Sequence, residues 1–398
     1  MDFHVVNLGC KVNKAESDSF TASLLAKGHH LVDLDRAESI IINTCTVTGD
    51  AEKKTRKAVR RALRENPFAD VLVTGCAAAI DPDFYTALDP RIRVVEKNEL
   101  VSSDQVLRAG GIFPLRVSVK VQDGCDHACT YCIVHVARGR AWSRPLDEIV
   151  REVKELEGAG IREIMLSGID LGSYHFDGIK LDVLLATLLD QTEDIRFRIS
   201  SVEPRSLTDA TIELVAGSEG RICRHLHIPL QAGSSKVLSE MNRPYDADHY
   251  ANLIRKLYRS IPSLSLSTDI IVGFPGECDA EFMETLALAK EARFSKIHAF
   301  RYSLREGTPA AARSDQIPAS VKEQRLQELL VLAHDLRMQD AQRRIDTIED
   351  VLVEAPGIGM SESYFKVRVP EEIPTGSLLP LALTEVDSSC IMKACKKR

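Results

Sequence analysis

Residues 115–132 read LRVSVKVQDGCDHACTYC. The first seven residues alternate apolar and polar, the pattern of a strand, and the strand runs directly into a loop with the spacing C-x3-C-x2-C at Cys125, Cys129 and Cys132. Three thiolates this close can hold three corners of an iron–sulfur cubane and leave the fourth iron open to a small molecule. The lesser alternative is a zinc site, which wants four ligands, with His127 or His135 as the fourth.

The chain downstream of the loop sets the fold class. A helix is expected over 146–157, where Leu146, Ile149, Val150, Val153 and Leu156 recur at helical spacing. Strands are expected at 162–167, 196–201, 224–230, 266–273 and 296–302, with helices at about 181–190, 207–216, 247–259 and 279–293 between them. With 115–121 this makes six βα units, which fits a curved or closed parallel barrel. Upstream, apolar runs at 4–9, 39–43 and 70–74 alternate with helical stretches at 13–27 and 50–64, the pattern of an open parallel sheet. Cys10, Cys45 and Cys76 each stand just past the end of one of those runs, where ligands bind in such sheets. Residues 98–116 read as a linker. A long helix is expected at 318–346. Short strands at 350–354, 364–369 and 378–386 make a small all-β unit, and the basic tail from Lys393 onward reads as frayed. The expected division is 1–109, 110–346 and 347–398.

The chain has 398 residues, 44% hydrophobic and 27% charged, the ordinary globular balance, and contains no run of 18 apolar residues. Its start, MDFH, is not a secretory signal, so the cytoplasm is expected. In that compartment ten cysteines are read as metal-binding or catalytic rather than as disulfides. A net charge of −7 and one tryptophan, Trp142, argue against a generic nucleic-acid binder. One segment departs from that balance. Residues 53–64, KKTRKAVRRALR, place Lys53, Lys54, Arg56, Lys57, Arg60, Arg61 and Arg64 on one helix with no acidic residue among them. Such a run on an acidic chain favours contact with phosphates. Arg138, Arg140 and Arg144 could extend it.

C-x3-C-x2-C after the first strand of six βα units resembles the radical S-adenosylmethionine superfamily. The second triplet, Cys10, Cys45 and Cys76, on an α/β unit ahead of the barrel and with a small β unit behind it, resembles the methylthiotransferases within that superfamily. LGCKVNKAESD (8–18), ARGRAWSRP (137–145), CRHLHIPLQAGS (223–234), TDIIVGFPGE (268–277) and REGTPAA (305–311) are similar to the group acting on N6-threonylcarbamoyladenosine at position 37 of tRNA. The resemblance implies two [4Fe–4S] clusters, one on each triplet, a C-terminal TRAM-like domain, and the use of two S-adenosylmethionine molecules. One donates a methyl group to sulfur at the N-terminal cluster. The other is cleaved to a 5′-deoxyadenosyl radical that removes hydrogen from adenine C2. It also implies tRNA as partner and an electron donor such as a flavodoxin or ferredoxin, and leaves the sulfur source open. Tyr131 matches the aromatic that packs near adenine in that family. Gly168, Asp170, Ser201, Glu203, His227 and Gln231, at barrel strand ends, are candidates to hold S-adenosylmethionine. Arg301 and Arg305 are candidates to bind the carboxylate of the threonylcarbamoyl group. The alternatives are isopentenyladenosine in tRNA, an aspartate of a ribosomal protein, or, in a different class, a non-catalytic metal-containing RNA-binding protein.

Overall fold

The structure is a computed structural model that describes residues 1–46, 49–100 and 115–396, with the backbone alone at 50 and 98. Most of the expected linker, and with it the boundary at 109/110, lies outside the described residues.

The N-terminal runs form a five-stranded parallel sheet in the order His30–Leu31, Asp2–Asn7, Ser39–Thr44, Asp70–Gly75, Ile92–Val94. Its central strand, SIIINT, is buried along its whole length, as a strand covered on both faces must be. The two edge strands are two and three residues long and left no periodic signal in the sequence.

The second unit is a partial barrel of six parallel strands. Arg116–Lys120, Glu163–Ser167 and Arg196–Ile199 form one ladder, and His225–His227, Ser265–Val272 and Lys296–Arg301 form another. Parallel bridges Phe197↔Ile222 and Ser201↔His227 join the two ladders. Among the described residues, no ladder closes the first strand on the sixth. Instead, helix Lys11–Ala26 of the N-terminal unit packs on Arg116–Lys120, and the long helix Ala319–Arg343 packs on Lys296–Arg301. The barrel core is aliphatic, with Val117, Val119, Ile164, Leu166, Leu226 and Ile270 all buried.

The amino-terminal mouth of the barrel is closed by charge. Buried Glu163 accepts hydrogen bonds from Arg196 and Arg198, 2.8 Å from each Nε. The same guanidinium groups donate to the carbonyls of Asp350, Ser361 and Glu362 in the last unit. Glu163 and the Arg196 and Arg198 guanidinium groups are each hydrogen-bonded there, which such burial requires.

That last unit is a closed five-stranded barrel: Ile348–Ala355, Ile358–Ser361, Lys366–Arg368, Met392–Cys395 and Leu378–Val386. The expectation of a frayed tail is corrected here. Residues 392–395 form a strand paired on both sides, because Met392 and Ala394 alternate into the core while Lys393 points out towards Glu385. Cys390, just ahead of that strand, is buried. Among the described residues, no helix is long and apolar enough to cross a membrane.

Candidate active site

The loop with Cys125, Cys129 and Cys132 opens at the carboxyl end of the first barrel strand, where sites in such barrels lie. Its base is fixed by Gln122, which is fully buried. The Gln122 amide donates to the carbonyls of Asp123 and Gly124 and accepts from the backbone N–H groups of Ile169 and Asp170. Gly168 faces this amide: a Cβ there would stand 2.8 Å from Gln122 Oε1. Its small size therefore makes room for Gln122 rather than for a ligand.

A cavity of about 270 Å³ lies between the loop and the strand ends. The three cysteines line it, together with Tyr131, Asp170, Ser201, Glu203 and Gln231. Arg301 and Arg305 line it as well. Gly168 does not, and neither does His227, whose Nε2 lies 3.2 Å from Asp269 Oδ2, one layer down. His227 thus reaches the cavity only through Asp269. Asp170 is already engaged by the N–H groups of Gly172 and Glu203 and by His127 Nε2 at 3.2 Å. It acts as the joint between the cluster loop and the second and third strand ends. Among the described residues, Glu203 keeps one buried carboxylate oxygen, Oε1, without a hydrogen-bond partner, and burial pushes its acid above the usual range.

Arg243 lies in MNRPY (241–245), a segment also similar to the methylthiotransferases, but its place at the site was not expected. It donates to Cys129 Sγ at 3.2 Å, to Tyr245 Oη and to Glu203 Oε2. It sits in MNRPY, after a short helix, with nothing in the local pattern to show that it folds back onto the loop.

The thiols themselves fit an iron–sulfur cluster. Among the described residues, the one group of three or more metal-ligating side chains with atoms within 4.8 Å of one another is His227, Asp269 and His298. Three thiols on one short loop are the donor set that three corners of an iron–sulfur cubane take. His127 is held by Asp170, away from the role of a fourth zinc ligand. Burial pushes Cys125 and Cys132 up to about 11, so metal binding there must release protons. In the His227–Asp269–His298 group, His227 hydrogen-bonds Asp269 and the His298 ring stands edge-on to His227 at 5.7 Å, with the cations Lys11 and Lys296 nearby, a poor setting for a divalent ion.

The second triplet is assembled by two glycine–cysteine steps. Gly9 has φ +119°, and a Cβ there would meet Cys45 Cβ at 2.7 Å and Sγ at 2.8 Å. Gly75 has φ +93°, and a Cβ there would meet Asn43 Oδ1 and Thr44 O at 2.5 Å. Only glycine lets the Cys10 and Cys76 loops approach the Cys45 strand end this closely. Asn13 Nδ2 then ties the loops together by donating to Leu8 O and Thr44 O. Thr55 Oγ1 clamps the Cys45 backbone.

The two triplets face one another. Helix Cys76–Ile80 packs on helix Val134–Arg138, which begins two residues after Cys132. Glu52, on the basic helix, accepts from Arg305 Nη1 at 2.7 Å. The N-terminal sheet and the barrel therefore meet carboxyl end to carboxyl end.

On the basic helix Gly49–Glu65, Lys53, Lys54, Lys57, Arg60, Arg61 and Arg64 are exposed. Arg56 is not available in the same way: it pairs with Glu52 and stacks 4.4 Å from the Phe84 ring. Arg138 is corrected outright. Its side chain is 2% exposed and is held by Glu16 and Asp123, so it cannot lie on an RNA track. Arg140 is 93% exposed, and Arg144 pairs with Glu152.

Residues 119–289 match the Radical SAM superfamily, and residues 2–95 match the uncharacterized protein family UPF0004. The chain is 35% identical to the threonylcarbamoyladenosine tRNA methylthiotransferase MtaB of Bacillus subtilis, over 92% of this chain and 89% of that one. It is 36% identical to the tRNA-2-methylthio-N(6)-dimethylallyladenosine synthase of Carboxydothermus hydrogenoformans, over 88% of each. The fold is similar to that of the radical S-adenosylmethionine methyltransferase TsrM from Kitasatospora setae, with a TM-score of 0.57 at 14% identity, over 78% of this chain and 75% of that one.

Proposed function

We infer the reaction from the chain's family: it belongs to the radical S-adenosylmethionine methylthiotransferases, enzymes that use an iron–sulfur cluster and S-adenosylmethionine. The target we assign is N6-threonylcarbamoyladenosine at position 37 of tRNA, in the cytoplasm, with a flavodoxin or ferredoxin as electron donor. The units 1–109, 110–346 and 347–398 divide the work between an auxiliary cluster, the radical chemistry and the RNA. The observation that carries this reading is the pair of cysteine triplets at the facing carboxyl ends of two parallel sheets, with one cavity between barrel and loop.

Cys125, Cys129 and Cys132 hold one [4Fe–4S] cluster, and Cys10, Cys45 and Cys76 hold the other. Together with two S-adenosylmethionine molecules, these clusters supply the one-electron chemistry that replaces hydrogen at adenine C2 by a methylthio group. An unactivated C–H bond offers no acidic proton, so the protein's own task is binding and exclusion. The unpartnered Oε1 of Glu203 is suited to accept from ribose hydroxyls, and Tyr131, which lines the same cavity, would pack on the adenine when the cofactor is bound. Ile169, Ile271 and Phe300 keep that wall of the cavity apolar, which limits water at the reacting carbon.

Substrate choice rests on Arg305. It is 7% exposed, lines the cavity, and holds Nε and Nη2 buried without a hydrogen-bond partner among the described residues. Two unmatched guanidinium donors favour a carboxylate ligand, which the threonylcarbamoyl group carries and an isopentenyl group lacks. Arg301, the other candidate, is paired with Glu323. The experiment is competition between two tRNAs carrying threonylcarbamoyladenosine or isopentenyladenosine at position 37, with the products identified by nucleoside mass spectrometry. Preferential methylthiolation of the first is expected. Preference for the second would overturn the substrate and leave the chemistry standing.

A further inference from the structure

Arg138 belongs to the barrel unit, six residues after Cys132, yet its guanidinium lies among residues of the N-terminal unit. Nη2 donates to Asn13 Oδ1 at 2.7 Å, and Nη1 donates to Glu16 at 3.0 Å and to Asp123 at 2.9 Å. The same Asn13 Oδ1 accepts from Cys10 Sγ at 3.5 Å, and the helix that Arg138 ends packs on helix Cys76–Ile80. The carboxylates around it are shared: Lys97 and Lys120 both bind Glu16, and Lys120 also binds Asp123. Two carboxylates thus face three cations, Arg138, Lys97 and Lys120. The pocket carries one excess positive charge before the cysteines are counted, and the arginine at its centre is buried. Excess buried charge is costly unless an anion balances it. Thiolate ligands carrying a cluster are such an anion.

We propose that Arg138 is a positioning residue for the auxiliary cluster: the barrel unit lends the N-terminal site the positive charge that holds the Cys10–Cys45–Cys76 cluster and raises its reduction potential. Charge and hydrogen bonds near the sulfurs are recognised determinants of cluster potential. One short segment, 132–138, then carries a ligand of one cluster at its start and the electrostatic partner of the other at its end. The inference rests on the two-cluster reading.

The test uses the full chain with Cys125, Cys129 and Cys132 replaced by alanine, so that only the auxiliary site can load. Iron content and an EPR-monitored redox titration are compared with and without Arg138→Gln and Arg138→Lys. With Arg138→Gln the reduced-to-oxidised ratio at a fixed potential should fall at least tenfold, about 59 mV for one electron, or the iron should be lost. Arg138→Lys should restore most of either effect. Unchanged iron and potential in Arg138→Gln would overturn the proposal, as would loss of iron from Arg138→Lys as well, since a charge at that place would then not suffice. If the background itself binds no iron, the two-cluster reading fails instead.

Discussion

Arg243 shows how much of the site is a matter of single contacts. Its guanidinium touches the Cys129 thiol and closes one side of Glu203, whose other oxygen has no partner among the described residues. Removing it leaves a buried carboxylate without its cation, and hydrogen bonds to charged groups are worth about 1.5–3 kcal/mol. Arg243→Met should therefore cut 5′-deoxyadenosine formation roughly 10- to 100-fold while iron binding through the cysteines persists. Chromatographic assay of 5′-deoxyadenosine, beside an iron assay, reads both, and an undiminished rate would assign Arg243 to packing alone. The cysteine loops could be placed from the sequence, because their spacing and their positions after strands are written in the chain itself. The contacts of Arg243, Arg138 and Asn13 could not, because each joins a residue 31 to 125 positions away. Gly168 and His227 failed the opposite way: the strand-end rule placed them near the site, but their partners, Gln122 and Asp269, stand between them and the cavity.

The basic helix is the element whose role depends most on its faces. Thr55, Val59 and Ala62 form its buried stripe, and six cations cover the opposite side. The phosphate expectation therefore narrows to Lys53, Lys54, Lys57, Arg60, Arg61 and Arg64. Each lost phosphate contact should flatten the dependence of log affinity on log salt by roughly 0.7–0.9. Changing Lys53, Lys54 and Arg60 to glutamine should flatten the slope measured by tRNA binding across a salt series, without loss of iron. Arg56→Gln should leave the slope as it is, because Arg56 is already spent on Glu52 and Phe84. A slope unmoved by the triple change would make the helix a merely solvated face. The one-sided charge of this helix could be read from its composition. The diversion of Arg56 could not, since Phe84 lies on a later helix. Likewise the strand Met392–Cys395 was hidden by the lysines that flank its two core residues.

At the scale of the whole molecule, alternation of strands and helices set out both parallel sheets, and turn-rich sequence set out the closing β unit. Their mutual arrangement was not legible. It depends on buried charge at both mouths of the barrel, with Glu163, Arg196 and Arg198 gripping the last unit at one end, and Arg138 with Glu16 and Asp123 gripping the first unit at the other. The result is two cysteine triplets on facing loops, and the proposed function requires that they have different tasks. The most direct measurement replaces Cys10, Cys45 and Cys76 by alanine in the full chain, then follows iron, 5′-deoxyadenosine and methylthiolated nucleoside after anaerobic reconstitution. About four irons, continued S-adenosylmethionine cleavage and no methylthio product are expected. Full methylthiolation by this variant would contradict the division of tasks between the two triplets.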